Sequence, residues 1–203
     1  MSAASRATAC NRLTRGVDFV AGQSAPRKHN QTEEGDGSVQ PQRSWRGDGH
    51  PDTRRPGARN PSASAFSKII AGELPGRFVW RDSTAVAFLS IAPIAPGHTL
   101  VVPRSEFDQW TDADPAVLAH CTTVAQHIGQ AVKLSWNAPR AGLIIAGFEV
   151  AHLHLHVFPA WHLQNFTFAG ADQKPNPDAL DESACRIRCA LREIGHRDTV
   201  PAQ

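Results

Sequence analysis

No stretch of the chain reaches the roughly 18 consecutive apolar residues that a membrane-crossing helix requires, so nothing in the sequence is expected to span a bilayer. The opening MSAASRATACNRLTRG, rich in Arg, Ser and Ala and without an acid before Asp18, is loosely like a transit peptide. It lacks the apolar centre of a secretory signal, and it is read as a leader with no targeting role. Cysteine is scarce and scattered: Cys10, Cys121, Cys185 and Cys189 contain no C-x-x-C pair, which points to four reduced thiols and a cytoplasmic setting rather than a disulfide framework. A dominant charge is missing too. Residues 1–60 carry 10 Lys+Arg against 6 Asp+Glu, and the remainder 11 against 13, so the globular part offers no electrostatic case for a nucleic-acid partner. Between residues 29 and 64 neither hydrophobic period occurs, while Gly, Pro, Ser, Arg and Asp abound. Such a segment cannot offset the entropy of ordering itself, and 1–62 is expected to be a disordered N-terminal extension ahead of a folded domain at 63–203.

From Phe66 onward periodicity is plain. FSKIIAGELPG reads as a short helix stopped by Gly72 to Pro75, followed by strand-like runs RFVWRD (77–82), TAVAFLSIA (84–92) and HTLVVPR (98–104) with short links, an antiparallel meander. At Asp114 and Pro115, a cap and a first helical position, the period changes: Val117, Leu118, Cys121, Val124, Ala125, Ile128 and Val132 recur at three and four. His120 and His127 fall beside that stripe. AGLIIAG (141–147) and HLHLHVFPAW (152–161) are two more strands, and Leu180, Ala184, Ile187, Leu191 and Ile194 mark a C-terminal amphipathic helix ending at Gly195. Three strands, a long helix, two strands and a helix make an α+β fold with a five-stranded, largely antiparallel sheet.

Residues 152–158, HLHLHVF, hold the strongest chemical signal. Residues two apart on a strand share a face and lie about 6.6 to 7 Å apart. His152, His154 and His156 therefore share one face, and Leu153, Leu155 and Val157 the other. The apolar face needs a helix over it, which leaves the imidazoles toward a cleft. Crowded and partly buried, they are expected to be neutral near pH 7. Spacing alone leaves three readings open: a metal site completed by His98 or His162, a catalytic row, or a structural row.

His-apolar-His-apolar-His-apolar-apolar resembles the signature of the histidine-triad (HIT) superfamily of nucleotide-binding proteins, and FSKIIAGELPGRFVWRD…AVAFLSIAPIAPGHTLVVPR resembles its opening helix and three strands, in the same order and at the same distance from the triad. The similarity covers roughly residues 65–165, and the last helix is similar to a tail of short bacterial Hint-like members. The resemblance implies a nucleotide hydrolase or nucleotidyltransferase in which the middle histidine, His154, attacks the α-phosphorus and forms a nucleotidyl-histidine. His156 and His98 would stabilise phosphoryl charge, and His152 would orient its neighbours. It implies an apolar base pocket from Phe66, Ile69, Phe88 and Ile91, with Ser90 at the ribose position, a purine nucleotide, adenylate above all, as partner, and a homodimer. Trp161 would reach that partner or cap the sheet.

Three departures qualify the resemblance. Ser90 stands where many such hydrolases have an acid. The loop before the triad is shorter and places Phe148 and Glu149 near the phosphate, where a carboxylate repels. ASAFS (63–67) replaces the C-x-x-C through which some members bind zinc, so no metal and no cofactor is expected. A catalytically weak nucleotide-binding or interaction protein of the same fold is the alternative these departures motivate.

Overall fold

The structure, a computed structural model, describes residues 63–202. The expectation of a disordered extension at 1–62, and Cys10 with it, lies outside those residues. Helix α1 (Ala65–Ala71) starts where Ser64 accepts the Ser67 N–H and ends at Gly72, whose φ of 82° is the left-handed turn that glycine tolerates best. Strands β1 (Phe78–Arg81), β2 (Ala85–Leu89) and β3 (Thr99–Pro103) form the meander. Asp82 closes its first turn by accepting the Thr84 and Ala85 N–H groups, each at 2.7 Å. Helix α2 (Pro115–Trp136) opens on the Asp114 cap with Pro115 at the first position, as the sequence implies, and stops at Asn137 in the left-handed region. Strands β4 (Arg140–Ile144) and β5 (Leu155–Ala160) and helix α3 (Pro177–Glu193) complete the domain.

All pairings are antiparallel, in the order β1-β2-β3-β5-β4. Strand β5, between β3 and β4 in that order, has both edges paired. Leu153, Leu155 and Val157 enter one core with Val124, Ile128 and Val132 of α2 and with Ile187 and Leu191 of α3. Burial of each such aliphatic side chain is worth about 1.5–3 kcal/mol. The long helix therefore covers the apolar face as the sequence required, and α3 shares the task. On the opposite face Phe66, Phe78, Val86, Phe88, Leu100 and Val102 form a second cluster under α1. His120 and His127 are half-buried at the edge of the α2 stripe: His120 Nε2 lies 2.9 Å from Asp82 Oδ2, and His127 stacks on Trp80.

One of these expectations needs correction. The strand expected from 152 begins at Leu155, because β3 ends at Pro103, which has no N–H for a ladder; the Leu153 N–H turns instead to the Phe107 carbonyl at 2.7 Å. Of the thiols, Cys121 is buried and free, and Cys185 is half-buried and free.

Among the described residues no helix is long and apolar enough to cross a membrane.

Gly142 on β4 is where the sheet tolerates least. A Cβ there would lie 2.3 Å from two ring atoms of Phe158, which is fully buried and packs edge-on to His98. Gly142→Ala is expected to cost about 1–3 kcal/mol in unfolding free energy by denaturant titration. An unchanged midpoint would show that the Phe158 ring can yield.

Candidate active site

The triad sits where β5 enters the sheet. His156 lies on the strand, paired with Leu100 and Ile144, while His154 and His152 occupy the extended residues before it. All three are buried, as is His98 at the head of β3. Buried imidazoles must satisfy their N–H groups, and the partners here fix each tautomer in turn.

His98 Nδ1 takes the Ile94 backbone N–H at 3.3 Å, so its Nε2 carries the proton and donates to His156 Nδ1 at 3.0 Å. With Nδ1 accepting, His156 holds its own proton on Nε2. His154 Nδ1 lies 2.7 Å from the carbonyl of His152 and donates to it, which leaves the lone pair on Nε2. His152 Nε2 donates to the Pro103 carbonyl at 2.9 Å, so its Nδ1 accepts from the Ser64 hydroxyl at 2.7 Å. Among the described residues neither His154 Nε2 nor His156 Nε2 has a hydrogen-bond partner, and neither is among the buried unpaired atoms, which are His127 Nδ1 and Ser135 Oγ. Both therefore reach the surface. One presents a lone pair and the other a donor, on rings 4.7 Å apart.

Electrostatics hold this arrangement neutral. Burial pushes His98 down to about 3, with His156 and His154 adding repulsion, and pushes His156 down to about 4, with His154 adding repulsion. Burial likewise lowers His152 and His154, partly opposed at each by a hydrogen bond to a backbone carbonyl. Glu149, exposed on the loop before the triad, raises the proton affinity of His154 by its charge, but burial outweighs it. The site can thus supply an unprotonated imidazole nucleophile and a neutral N–H donor near pH 7 without first removing a proton.

Of the five residues expected at a nucleotide pocket, Phe66, Ile69 and Phe88 lie in one cluster. The Phe66 ring is edge-on to His154 at 4.9 Å and to Phe88 at 5.6 Å. Ser90 is buried, and its hydroxyl accepts from Ala92 N–H in its own turn at 3.2 Å. Ile91 is 76% exposed on the turn after β2 rather than on the strand, because the chain leaves β2 at Leu89 and Ser90 N–H pairs with the His98 carbonyl. Trp161 and His162 are exposed beyond β5. Sequence reasoning missed Phe168, whose ring packs on His156 at 4.8 Å from the connector after β5, and it missed Ser64. A Ser two residues ahead of Phe66 is a recognisable helix cap, but nothing local tells that it also meets a histidine 88 positions away. No group of three or more His, Cys, Asp and Glu among the described residues is arranged to hold a metal ion.

These rings make the fold acid-sensitive. Their folded proton affinities lie below the ordinary histidine value of about 6.5, so the unfolded chain takes up protons first; stability is fully present above that pH and is lost as pH falls below it. His98 and His156 should each remove about 1.4 kcal/mol per pH unit as pH falls from roughly 6 toward 4. Urea midpoints at pH 7.5 and 5 are expected to differ clearly, and equal midpoints would show that the rings are not held neutral.

Comparison with known proteins gives the same assignment from another direction. The HIT domain family model matches residues 71–163. A HIT-like protein of Mycobacterium tuberculosis is 37% identical over 144 residues, which cover 68% of this chain and 96% of that one. The adenosine 5'-monophosphoramidase of Saccharomyces cerevisiae is 32% identical over 99 residues, 48% of this chain and 63% of the yeast protein. Among solved structures, a zinc-bound histidine triad family protein from Mycobacterium smegmatis superposes with a TM-score of 0.56 at 29% identity, covering 64% of this chain and 93% of that one. With three alternating imidazoles where β5 enters a five-stranded antiparallel sheet, and the mycobacterial relative matched over 96% of its length, this chain belongs to the HIT family.

Proposed function

We propose that this protein hydrolyses or transfers a nucleoside 5'-monophosphoryl group, of the phosphoramidate or dinucleoside polyphosphate type, through a covalent nucleotidyl-histidine on His154. The observation that carries the reading is the fixed tautomer of His154: its Nδ1–H is held on the His152 carbonyl, and its Nε2 lone pair opens to the surface. In this reading Nε2 bonds to the α-phosphorus as the bond to the leaving group breaks, and the leaving atom takes a proton from solvent. Water then attacks the same phosphorus and gives up a proton to solvent as the P–Nε2 bond breaks, and His154 departs as neutral imidazole. His156 Nε2–H, supported from behind by His98, donates to the phosphoryl oxygens, since positioning and charge stabilisation do most of the work in phosphoryl transfer.

The Phe66, Ile69 and Phe88 cluster would supply the apolar wall against the base, with Ser90 and Ile91 contributing from the turn after β2. Such a wall reads aromaticity rather than hydrogen-bond pattern, and the choice of adenylate follows from the similarity to the yeast phosphoramidase. A catalytically weak binder is the second reading, favoured by Glu149, whose negative charge acts on His154 and would repel a phosphate.

Strand β4 is a sheet edge beside a groove of about 500 Å³ shared with α2, where Leu143 is about half exposed. A second copy of the chain seated there, sheet edge to sheet edge, is the homodimer that the reading includes.

Incubation with adenosine 5'-phosphoramidate should release AMP, and His154→Ala should lower kcat/KM by about a thousandfold or more. Intact-mass measurement of enzyme quenched during turnover should show an adenylyl adduct that maps to His154. Tight AMP binding without His154-dependent release would select the weak binder instead. Sedimentation should return twice the chain mass, and Leu143→Glu should shift it toward the monomer; a wild type that sediments as a monomer rejects the dimer.

A further inference from the structure

Helix α1 has a problem of attachment. It is seven residues long with Phe66 as its buried side chain, and a helix of that length is not stable by itself. Yet Phe66 is the ring that touches both His154 and Phe88. Something other than helix propensity must hold it in place.

Two hydroxyls flank Phe66. Ser64 Oγ accepts the Ser67 N–H at 3.1 Å and has one proton to give, for which His152 Nδ1 at 2.7 Å and Ser67 Oγ at 3.2 Å compete. The imidazole is nearer and, with its own proton committed to the Pro103 carbonyl, needs a donor; otherwise a fully buried nitrogen would be left unpaired. Ser67 Oγ, whose hydrogen is thereby not needed at His152, donates to Glu106 Oε2. Glu106 belongs to the loop after β3 that already holds the triad entrance, since Pro103 O takes the His152 ring proton and Phe107 O takes the Leu153 N–H. The same loop thus grips His152 from one side and, through Glu106 and the two serines, pulls α1 onto it from the other.

We infer that Ser64, Ser67 and Glu106 are positioning residues, a hydroxyl and carboxylate clasp that holds α1, and with it Phe66, against His152 and His154, so that nucleotide affinity depends on a carboxylate outside the nucleotide pocket. The dependence on nucleotide affinity rests on the function proposed above; the clasp itself does not. An exposed ion pair would contribute little, but this is a charge-assisted hydrogen bond, and its loss leaves the short helix tied to the triad mainly by the single Ser64–His152 hydrogen bond.

The test uses the full chain and AMP as the probe, with affinities from calorimetry. Ser67→Ala and Glu106→Ala should each weaken AMP binding by about tenfold, because each removes one partner of the same charge-assisted bond. The double variant should bind no more weakly than either single one, since both changes delete one interaction. Glu106→Gln keeps the acceptor oxygen and should stay within about threefold of wild type. Unchanged affinity in both single variants, additive losses in the double, or no rescue by Gln would overturn the clasp as a determinant of affinity. Amide hydrogen exchange over residues 66–70 gives a second readout that needs no nucleotide: faster exchange in Ser67→Ala and Glu106→Ala upholds the clasp, and unchanged exchange overturns it. A wild type that fails to bind AMP at all would instead defeat the nucleotide reading, with the exchange data still deciding the clasp.

Discussion

The chemistry of the site depends on one hydrogen bond, from His154 Nδ1–H to the carbonyl of His152 two residues earlier. An imidazole has two nitrogens, and near neutral pH only the one without a proton can attack. Left free, the ring would exchange tautomers and offer its lone pair to either side. A backbone carbonyl cannot donate, so it selects the tautomer absolutely and holds the ring plane. For the carbonyl to be available it must not be used in the sheet. That is why the chain ahead of Leu155 leaves the β3 ladder, and why the ladder ends at Pro103, a residue without an N–H, whose own carbonyl is then spent on His152.

The same logic repeats around the row. His98 is oriented by the Ile94 amide and orients His156, so the direction of the donor facing the surface is set two steps back in a tight turn. Each imidazole is therefore polarised by something rigid: an amide, a carbonyl or another fixed ring. Rigidity comes from the far side of the sheet, where Leu153, Leu155 and Val157 alternate with the histidines and are locked between α2 and α3. A shift of register by one residue would exchange these two sets of side chains, burying imidazoles against the helices, so the hydrophobic face specifies the polar one.

How much of this the sequence reveals follows from distance along the chain. Alternation at 152–157 and the three-four spacing from Val117 to Val132 are local periodicities, and they place the imidazoles and the helix that covers their reverse side. The cap at Asp114 is equally local. Boundaries are less legible: HLHLH reads as one continuous strand, and only the position of Pro103 in the neighbouring strand shows that it begins at Leu155. Contacts far apart in sequence are not legible at all. Ser64 and His152 are separated by 88 positions, Ser67 and Glu106 by 39, and no periodicity connects them. Phe168 meets His156 only because the connector after β5 is tied back at Asp172 N–H to the Pro93 carbonyl.

Neutrality has a consequence for the proposed reaction itself. Four imidazoles held below ordinary histidine proton affinity bring dipoles to a phosphate but no net positive charge, and Glu149 adds a negative one. The α-phosphoryl group of an amidate or anhydride carries one negative charge; a free monophosphate, with a second dissociation near pH 6, carries almost two. Coulomb repulsion from Glu149 grows with that second charge, softened by the exposure of its carboxylate. A site of this kind is better matched to the singly charged substrate than to the doubly charged product. Under this reading Glu149 is not simply a defect: the carboxylate that weakens capture of a phosphate also speeds its release once the second charge has formed.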